Sequence, residues 1–134
     1  MNSNSAKPIR YLTAPELYQI NDEVTGGEAL VRDVHLLNSA AARPAIMLFG
    51  EAQFPTLVDK AAALLHSLAY HHLFADGNKR TALRAVTLFL ERNGYRLTWT
   101  PITAGAFILE VAQGKYDPAQ IAAYLQSYII NDFA

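Results

Sequence analysis

Two apolar stripes at helical spacing, joined by a polar connection, constrain this chain more than any other feature of its sequence. The first stripe is Leu57, Ala61, Leu64, Leu65 and Leu68; Pro55-Thr56 opens it and it continues to His72. Recurrence at three and four residues marks the buried face of an α-helix. The second stripe is Ala82, Val86, Phe89 and Leu90, on a helix that starts between Asn78 and Arg80, runs to Asn93 and stops at Gly94. Both apolar faces need partners, and the rest of the chain offers more helices. Thr13-Ala14-Pro15-Glu16 combines a Thr cap, an early Pro and a Glu three residues after the cap, so a helix starts there and ends by Thr25-Gly26-Gly27. Asp33 caps a short helix through Ala42, which Arg43-Pro44 ends. Pro101 opens a helix that ends at Gly114, and Asp117-Pro118 opens a last one that runs to about Ile130.

Between these segments, residues 95–100 alternate in polarity and read as one short extended piece. Residues 43–55 hold two prolines and a glycine and read as a surface loop, long enough to carry a function. The expected fold is all-α: one helical domain of about six helices over residues 11–134, its polar loop between the two central helices, with room for one small hairpin. Residues 1–10 read as a flexible N-terminal segment.

Composition narrows the function. A chain of 134 residues holds one core and not two. With 51% hydrophobic and 17% charged residues it is a globular domain rather than a disordered one. A net charge of −1 gives no basic excess for direct nucleic-acid binding. The absence of cysteine excludes disulfides and thiolate metal sites. Residues 1–7 are small and polar, unlike a signal peptide, and no apolar run would span a bilayer. The expectation is a cytoplasmic protein with no membrane contact.

The chemistry lies in the connection His72-Leu73-Phe74-Ala75-Asp76-Gly77-Asn78-Lys79-Arg80. Gly77 permits a tight turn and lets a ligand approach the backbone. The N–H groups that follow begin a helix and lack intrahelical partners, which makes an anion site. Lys79 and Arg80 stand in that first turn, where cations oppose the helix dipole; a bound phosphate removes the conflict. Asp76 is placed as a magnesium ligand beside phosphate oxygens. His72 is the general-base candidate, since imidazole titrates near neutrality. Base, metal ligand and anion cradle within nine residues suit phosphoryl or nucleotidyl transfer without a Walker-type loop.

This stretch resembles the signature loop of the Fic/Doc superfamily, His-x-Phe-x-(Asp/Glu)-(Gly/Ala)-Asn-(Gly/Lys)-Arg, and meets every specified position. The resemblance extends to Arg32-Asp33, to Ala42-Arg43-Pro44, to the helix leading into His72 and to Asn93-Gly94. It implies a helical fold with the loop between two central helices, and it implies roles. His72 takes the proton from a target hydroxyl, Phe74 anchors the loop, and Asp76 binds Mg2+. Gly77, Asn78 and the following N–H groups cradle phosphates, with Arg80 pairing one. Two positions depart from the AMP-transferring members: Lys79 stands where they have Gly, and Leu83 where they have a second Arg, with Arg84 roughly 100° further round the helix. Both departures resemble the Doc branch, toxins of toxin–antitoxin pairs. Its chemistry is transfer of the γ-phosphate of ATP to a protein hydroxyl, with a threonine of elongation factor Tu as known target. Gly77, where some Doc-like loops have Ala, is shared with the AMP-transferring form.

Plainer readings stand beside these. A lone histidine on an apolar stripe is more often a core residue; the loop behind His72 tips the balance to catalysis. His66 and His71 read as surface or core. A zinc site from His66, His71, His72 and Asp76 lacks any His-Glu-x-x-His spacing. Asp76-Gly77-Asn78 alone is an ordinary turn, but a plain turn does not need Lys79 and Arg80 behind it. Arg43 is weighed evenly between target contact and solvated loop residue, and Arg84 reads as solvated. Two competing functions share the fold: an AMP-transferring enzyme, disfavoured by Lys79 and Leu83, and a non-catalytic module that binds an antitoxin or regulator, disfavoured by the intact His72, Asp76, Asn78 and Arg80. The self-inhibitory pattern (Ser/Thr)-x-x-x-Glu-(Gly/Asn) has no match; Thr87-x-x-x-Glu91 is followed by Arg92. A growth-arresting enzyme without that brake implies an antitoxin acting in trans, with a disordered tail that folds on binding.

Overall fold

The computed structural model describes residues 7–132. Among them are six α-helices: α1 (Ala14–Val24), α2 (Val34–Ala42), α3 (Leu57–Tyr70), α4 (Asn78–Arg92), α5 (Pro101–Ala112) and α6 (Pro118–Gln126). A 3-10 turn, Arg43–Ala45, follows α2. Four short strands complete the fold: β1 (Met47–Leu48), β2 (Glu51–Ala52), β3 (Tyr95–Leu97) and β4 (Ile129–Asn131). The all-α expectation holds, and α1, α2, α3 and α6 begin where the sequence reading starts them, each with a side-chain cap. Thr13 with Glu16, Thr56 with Asp59, and Asp117 with Gln120 each close a capping box, satisfying N–H groups that a helix start leaves unpaired.

Helix α3 is the centre of the domain. Lys60, Ala61, Ala62, Ala63, Leu64, Leu65, Ser67, Leu68 and Ala69 are all buried, so the helix is covered on nearly every side. It packs against α4, α6, α5, α2 and the 3-10 turn, while α1 lies on α4. The small residues Ala61, Ala62 and Ala69 let neighbouring helices approach closely. Lys60 is buried with its charge satisfied: Nζ donates to the carbonyls of Phe54 at 2.6 Å and Pro44 at 3.2 Å. That lysine pins both flanks of the 46–53 segment to α3.

Three expectations on local structure are corrected. Residues 43–55 are not plain loop: after the 3-10 turn, β1 and β2 pair as a hairpin, Met47 with Ala52 and Leu48 with Glu51. The last helix ends at Gln126 rather than near Ile130. Ile129–Asn131 instead forms β4, antiparallel to β3, because the backbone of residues 95–97 needs a partner and the chain end supplies one. His72 does not lie on the stripe of α3, as described below. Of the N-terminal segment, residues 1–6 lie outside the described residues. Arg10 is held by Asn93, whose side chain accepts from its N–H at 2.9 Å and donates to its carbonyl at 3.1 Å.

Candidate active site

The site forms where α3 hands the chain to α4. Helix α3 stops at Tyr70 with His71 as its cap, and His72 then takes a left-handed backbone conformation, φ +47°. That is the position where helices commonly end on glycine. The left-handed turn swings His72 off the apolar stripe of α3 and out to solvent. A non-glycine residue held at positive φ costs on the order of 1 kcal/mol or more and is found disproportionately at functional sites.

Beyond His72 the chain is fastened from three sides. Leu73 and Phe74 are fully buried. Their backbone pairs with the segment between α1 and α2: the Arg32 N–H donates to the Leu73 carbonyl at 2.8 Å, and the Ala75 N–H to the Leu30 carbonyl at 2.9 Å. From the other end, Asn78 reaches back; its Oδ1 accepts from the Phe74 N–H at 3.0 Å and its Nδ2 donates to the Phe74 carbonyl at 2.9 Å. The Asn78 side chain therefore shapes the loop. From below, Asn21 of α1 donates to the Asp76 carbonyl at 2.8 Å.

Gly77 completes the turn at φ +74° as the N-cap of α4. A Cβ here would lie 3.0 Å from Thr25 Cγ2 and 3.2 Å from Val24 Cγ2, so both conformation and space require glycine. No side chain caps α4, and its first turn holds no acid. The first intrahelical bond of α4 runs from the Thr81 N–H to the Gly77 carbonyl, 2.8 Å, which leaves the N–H groups of residues 78–80 without helical partners. Lys79 and Arg80 are exposed beside them. Arg80 is oriented: Nη1 donates to the Val24 carbonyl at the end of α1, 2.6 Å, and Nη2 lies 3.5 Å from Asp76 Oδ2.

A sequence model described as the Fic/DOC family matches residues 11–90. The chain is 42% identical over 120 residues to Toxin Doc of Mycolicibacterium smegmatis, covering 88% of this chain and 92% of that protein. It is 40% identical over 60 residues to Protein kinase doc of Escherichia phage P1, covering 42% of this chain and 48% of that one. The chain belongs to the Fic/DOC family. Within it, the chain is of the Doc type.

For a Fic/DOC protein of this type, the donor set of the loop is well suited to a magnesium-bound nucleotide. Asp76 is one exposed carboxylate beside the cradle, and no group of three His, Cys, Asp or Glu that could hold a metal occurs among the described residues. One carboxylate plus substrate phosphates is the pattern Mg2+ favours. The Arg80–Asp76 pair is largely solvent-exposed and therefore weak, so either partner can turn to a ligand.

The two Doc-type departures are visible in space. Leu83 lines a cavity of about 270 Å3 with Lys79, Arg80, Gly105, Ile108 and Leu109. Arg84 points away to α1, 3.8 Å from Glu23. No second arginine joins Arg80 in that cavity.

Arg43 opens the 3-10 turn that packs on α3. Its Nη1 donates to Ser67 Oγ at 3.0 Å and sits 3.0 Å from His66 Nδ1, with the guanidinium 5.4 Å from the Phe54 ring. Burial, then the charge of Arg43, pushes His66 down to about 4. A neutral His66 accepts the arginine's hydrogen bond at Nδ1. Arg43 thus ties the root of the hairpin to the last turns of α3. What the sequence did not reveal is the support beneath the loop: Asn21 and the Val24 carbonyl. Asn21, followed by Asp22, looks like any polar position on an amphipathic helix.

Proposed function

We propose that this protein transfers the γ-phosphate of ATP to a serine or threonine hydroxyl of a cytoplasmic protein, as a toxin held in check by an antitoxin. Phosphotransfer is the chemistry of its Doc type, and the relative from phage P1 carries the name of a protein kinase. The observation that carries the finer reading is the start of α4. It is a helix N-terminus with no side-chain cap, two cations in its first turn and an exposed histidine at the other end of the connecting loop.

The residues divide the work as follows. The N–H groups of residues 78–80 hold phosphate oxygens at the positive end of the α4 dipole. Lys79 and Arg80 neutralise the charge that develops on the transferred group, with Arg80 already aimed by the Val24 carbonyl. His72 takes the proton from the attacking hydroxyl. Asp76 would hold Mg2+, which supplies charge neutralisation of the phosphates when bound. Asn78 keeps Phe74 and the cradle in register.

The hairpin offers a grip for a protein target. Ile46, Met47, Leu48 and Phe49 are exposed in succession, and Phe49 is fully exposed at φ +52°. Ile46 and His71 line one cavity with Arg43, which puts the hairpin root beside the end of α3. Arg43 acts here through the hairpin's position. Elongation factor Tu is the candidate target, and the antitoxin is expected to be a small protein acting in trans.

The deciding experiment supplies ATP labelled at the α or the γ phosphate, with cell extract or purified elongation factor Tu, with and without a magnesium chelator. Label from the γ-phosphate should enter protein, and the chelator should abolish it. Lys79→Gly should lose this transfer. A product carrying AMP would overturn the reading in favour of the AMP-transferring alternative.

A further inference from the structure

We infer that Asn21, in α1, is a positioning residue for phosphate binding and transfer; the inference rests on the proposed use of the α4 N-terminus as the phosphate cradle. Asn21 is fully buried, 55 positions before the loop it serves, and one Nδ2 group donates twice. One bond goes to the Asp76 carbonyl at 2.8 Å and the other to Thr81 Oγ1 at 3.1 Å. These two acceptors bracket the cradle, since residues 77–80 lie between them. Thr81 is itself fully buried.

The details point to the loop rather than to helix packing. A Cβ on Gly77 would lie 3.2 Å from Asn21 Nδ2, so the amide also forms part of the wall that forces this turn. Meanwhile the other amide atom, Oδ1, is buried with no hydrogen-bond partner among the described residues. Nδ2, by contrast, fixes a carbonyl of the loop itself. Turning the amide round would set Oδ1 against the Asp76 carbonyl oxygen, so the orientation is dictated by the loop. Holding that carbonyl fixes the peptide joining Asp76 to Gly77. The next N–H groups along the chain are those that meet the phosphate. A rotation of this peptide would tilt the donors off their target, and misplacement of about 1 Å can cost transfer a hundredfold.

A neighbouring variant separates positioning from packing. Thr81→Val removes one buried hydrogen bond and leaves the Asn21–Asp76 bond, whereas Asn21→Leu removes both. Asn21→Asp keeps the shape and lets the Thr81 hydroxyl donate to the new carboxylate, while that carboxylate repels the Asp76 carbonyl; it serves if the leucine variant does not fold. On the full chain, melting temperature, the Kd of MgATP by calorimetry, and the kcat and KM for label transfer from ATP would be measured. Label from either phosphate counts, so a chain that transfers AMP would overturn the proposed function and leave this inference standing. Thr81→Val should melt lower yet keep Kd and kcat within about twofold. Asn21→Leu and Asn21→Asp, assayed well below their melting temperatures, should lose at least tenfold in MgATP affinity and in kcat, with KM for the protein target unchanged. Wild-type affinity and kcat in the Asn21 variants, or losses in Thr81→Val as large as theirs, would overturn the inference.

Discussion

Helices α6 and α4 start in opposite ways. At α6, Asp117 accepts from the Gln120 N–H at 2.8 Å, Gln120 accepts in return from the Asp117 N–H at 2.9 Å, and Pro118 needs no acceptor. Every choice there serves the helix. At α4, Gly77 brings no side chain, Lys79 and Arg80 oppose the dipole, and His72 holds a left-handed turn at the far end of the loop. Glycine in place of a capping side chain costs roughly a few tenths of a kcal/mol, and each misplaced charge about 0.3–1 kcal/mol. Of the six helices among the described residues, the five others have a side-chain cap: Thr13, Asp33, Thr56, Thr100 and Asp117. The difference teaches where the fold keeps hydrogen-bonding capacity in reserve. What α6 satisfies within the chain, α4 leaves open, as the proposed phosphate cradle requires.

The largest test of that difference removes the proposed base. His72→Ala should lower label transfer by about two to four orders of magnitude. The side chain is exposed, so the unfolding free energy should change by less than about 1 kcal/mol. Steady-state transfer rates beside urea melts read both. A variant that labels its target at the wild-type rate would reduce the left-handed His72 to an ordinary helix terminator, and α4 would lose its chemical partner.

The next test makes α4 resemble α6. Gly77→Asp supplies a capping side chain at the right position, but its Cβ meets Thr25 and Val24, and its carboxylate takes the place of a phosphate. MgATP affinity should fall at least tenfold. Stability should also fall, by about 1–3 kcal/mol, because the strain at φ +74° outweighs the gain of a cap. Calorimetry with MgATP and a denaturant melt separate the two effects. Unchanged affinity would show that the bare start of α4 is not the phosphate cradle.

The contrast also explains what the sequence could reveal. Caps are local: Thr13 with Glu16 and Asp117 with Gln120 lie three residues apart, so helix starts were legible one by one. The candidate loop was legible for the same reason, its groups standing side by side from His72 to Arg80. Contacts between distant segments were not. Ile129 and Ile130 continue an apolar run that suits a helix, and only the open edge of β3, more than 30 positions earlier, turns them into a strand. The hairpin consists of two-residue strands with no periodicity to detect. The stripe of α3 could be followed to His72 because nothing in the residue itself announces a left-handed turn. Asn21 carries no local mark at all; its role exists only once α1 lies against α4.

The smallest effect belongs to the satisfied helix. Asp117→Ala removes the side chain that accepts from the Gln120 N–H and leaves the Gln120 side chain on the Asp117 backbone. The expected cost is about 0.5–2 kcal/mol of stability, a few degrees in melting temperature for a domain of this size. Neither transfer nor nucleotide affinity should change, because the hydrogen bonds of this cap stay at the start of α6. Ligand linkage gives the sharper measurement. Saturating MgATP raises the melting temperature through binding to the folded state alone, so wild type and Asp117→Ala should rise by the same increment. Gly77→Asp should rise by far less. If Asp117→Ala also lost its increment, the two helix starts would not be independent, and the division between a start kept for the fold and a start kept for a ligand would fail.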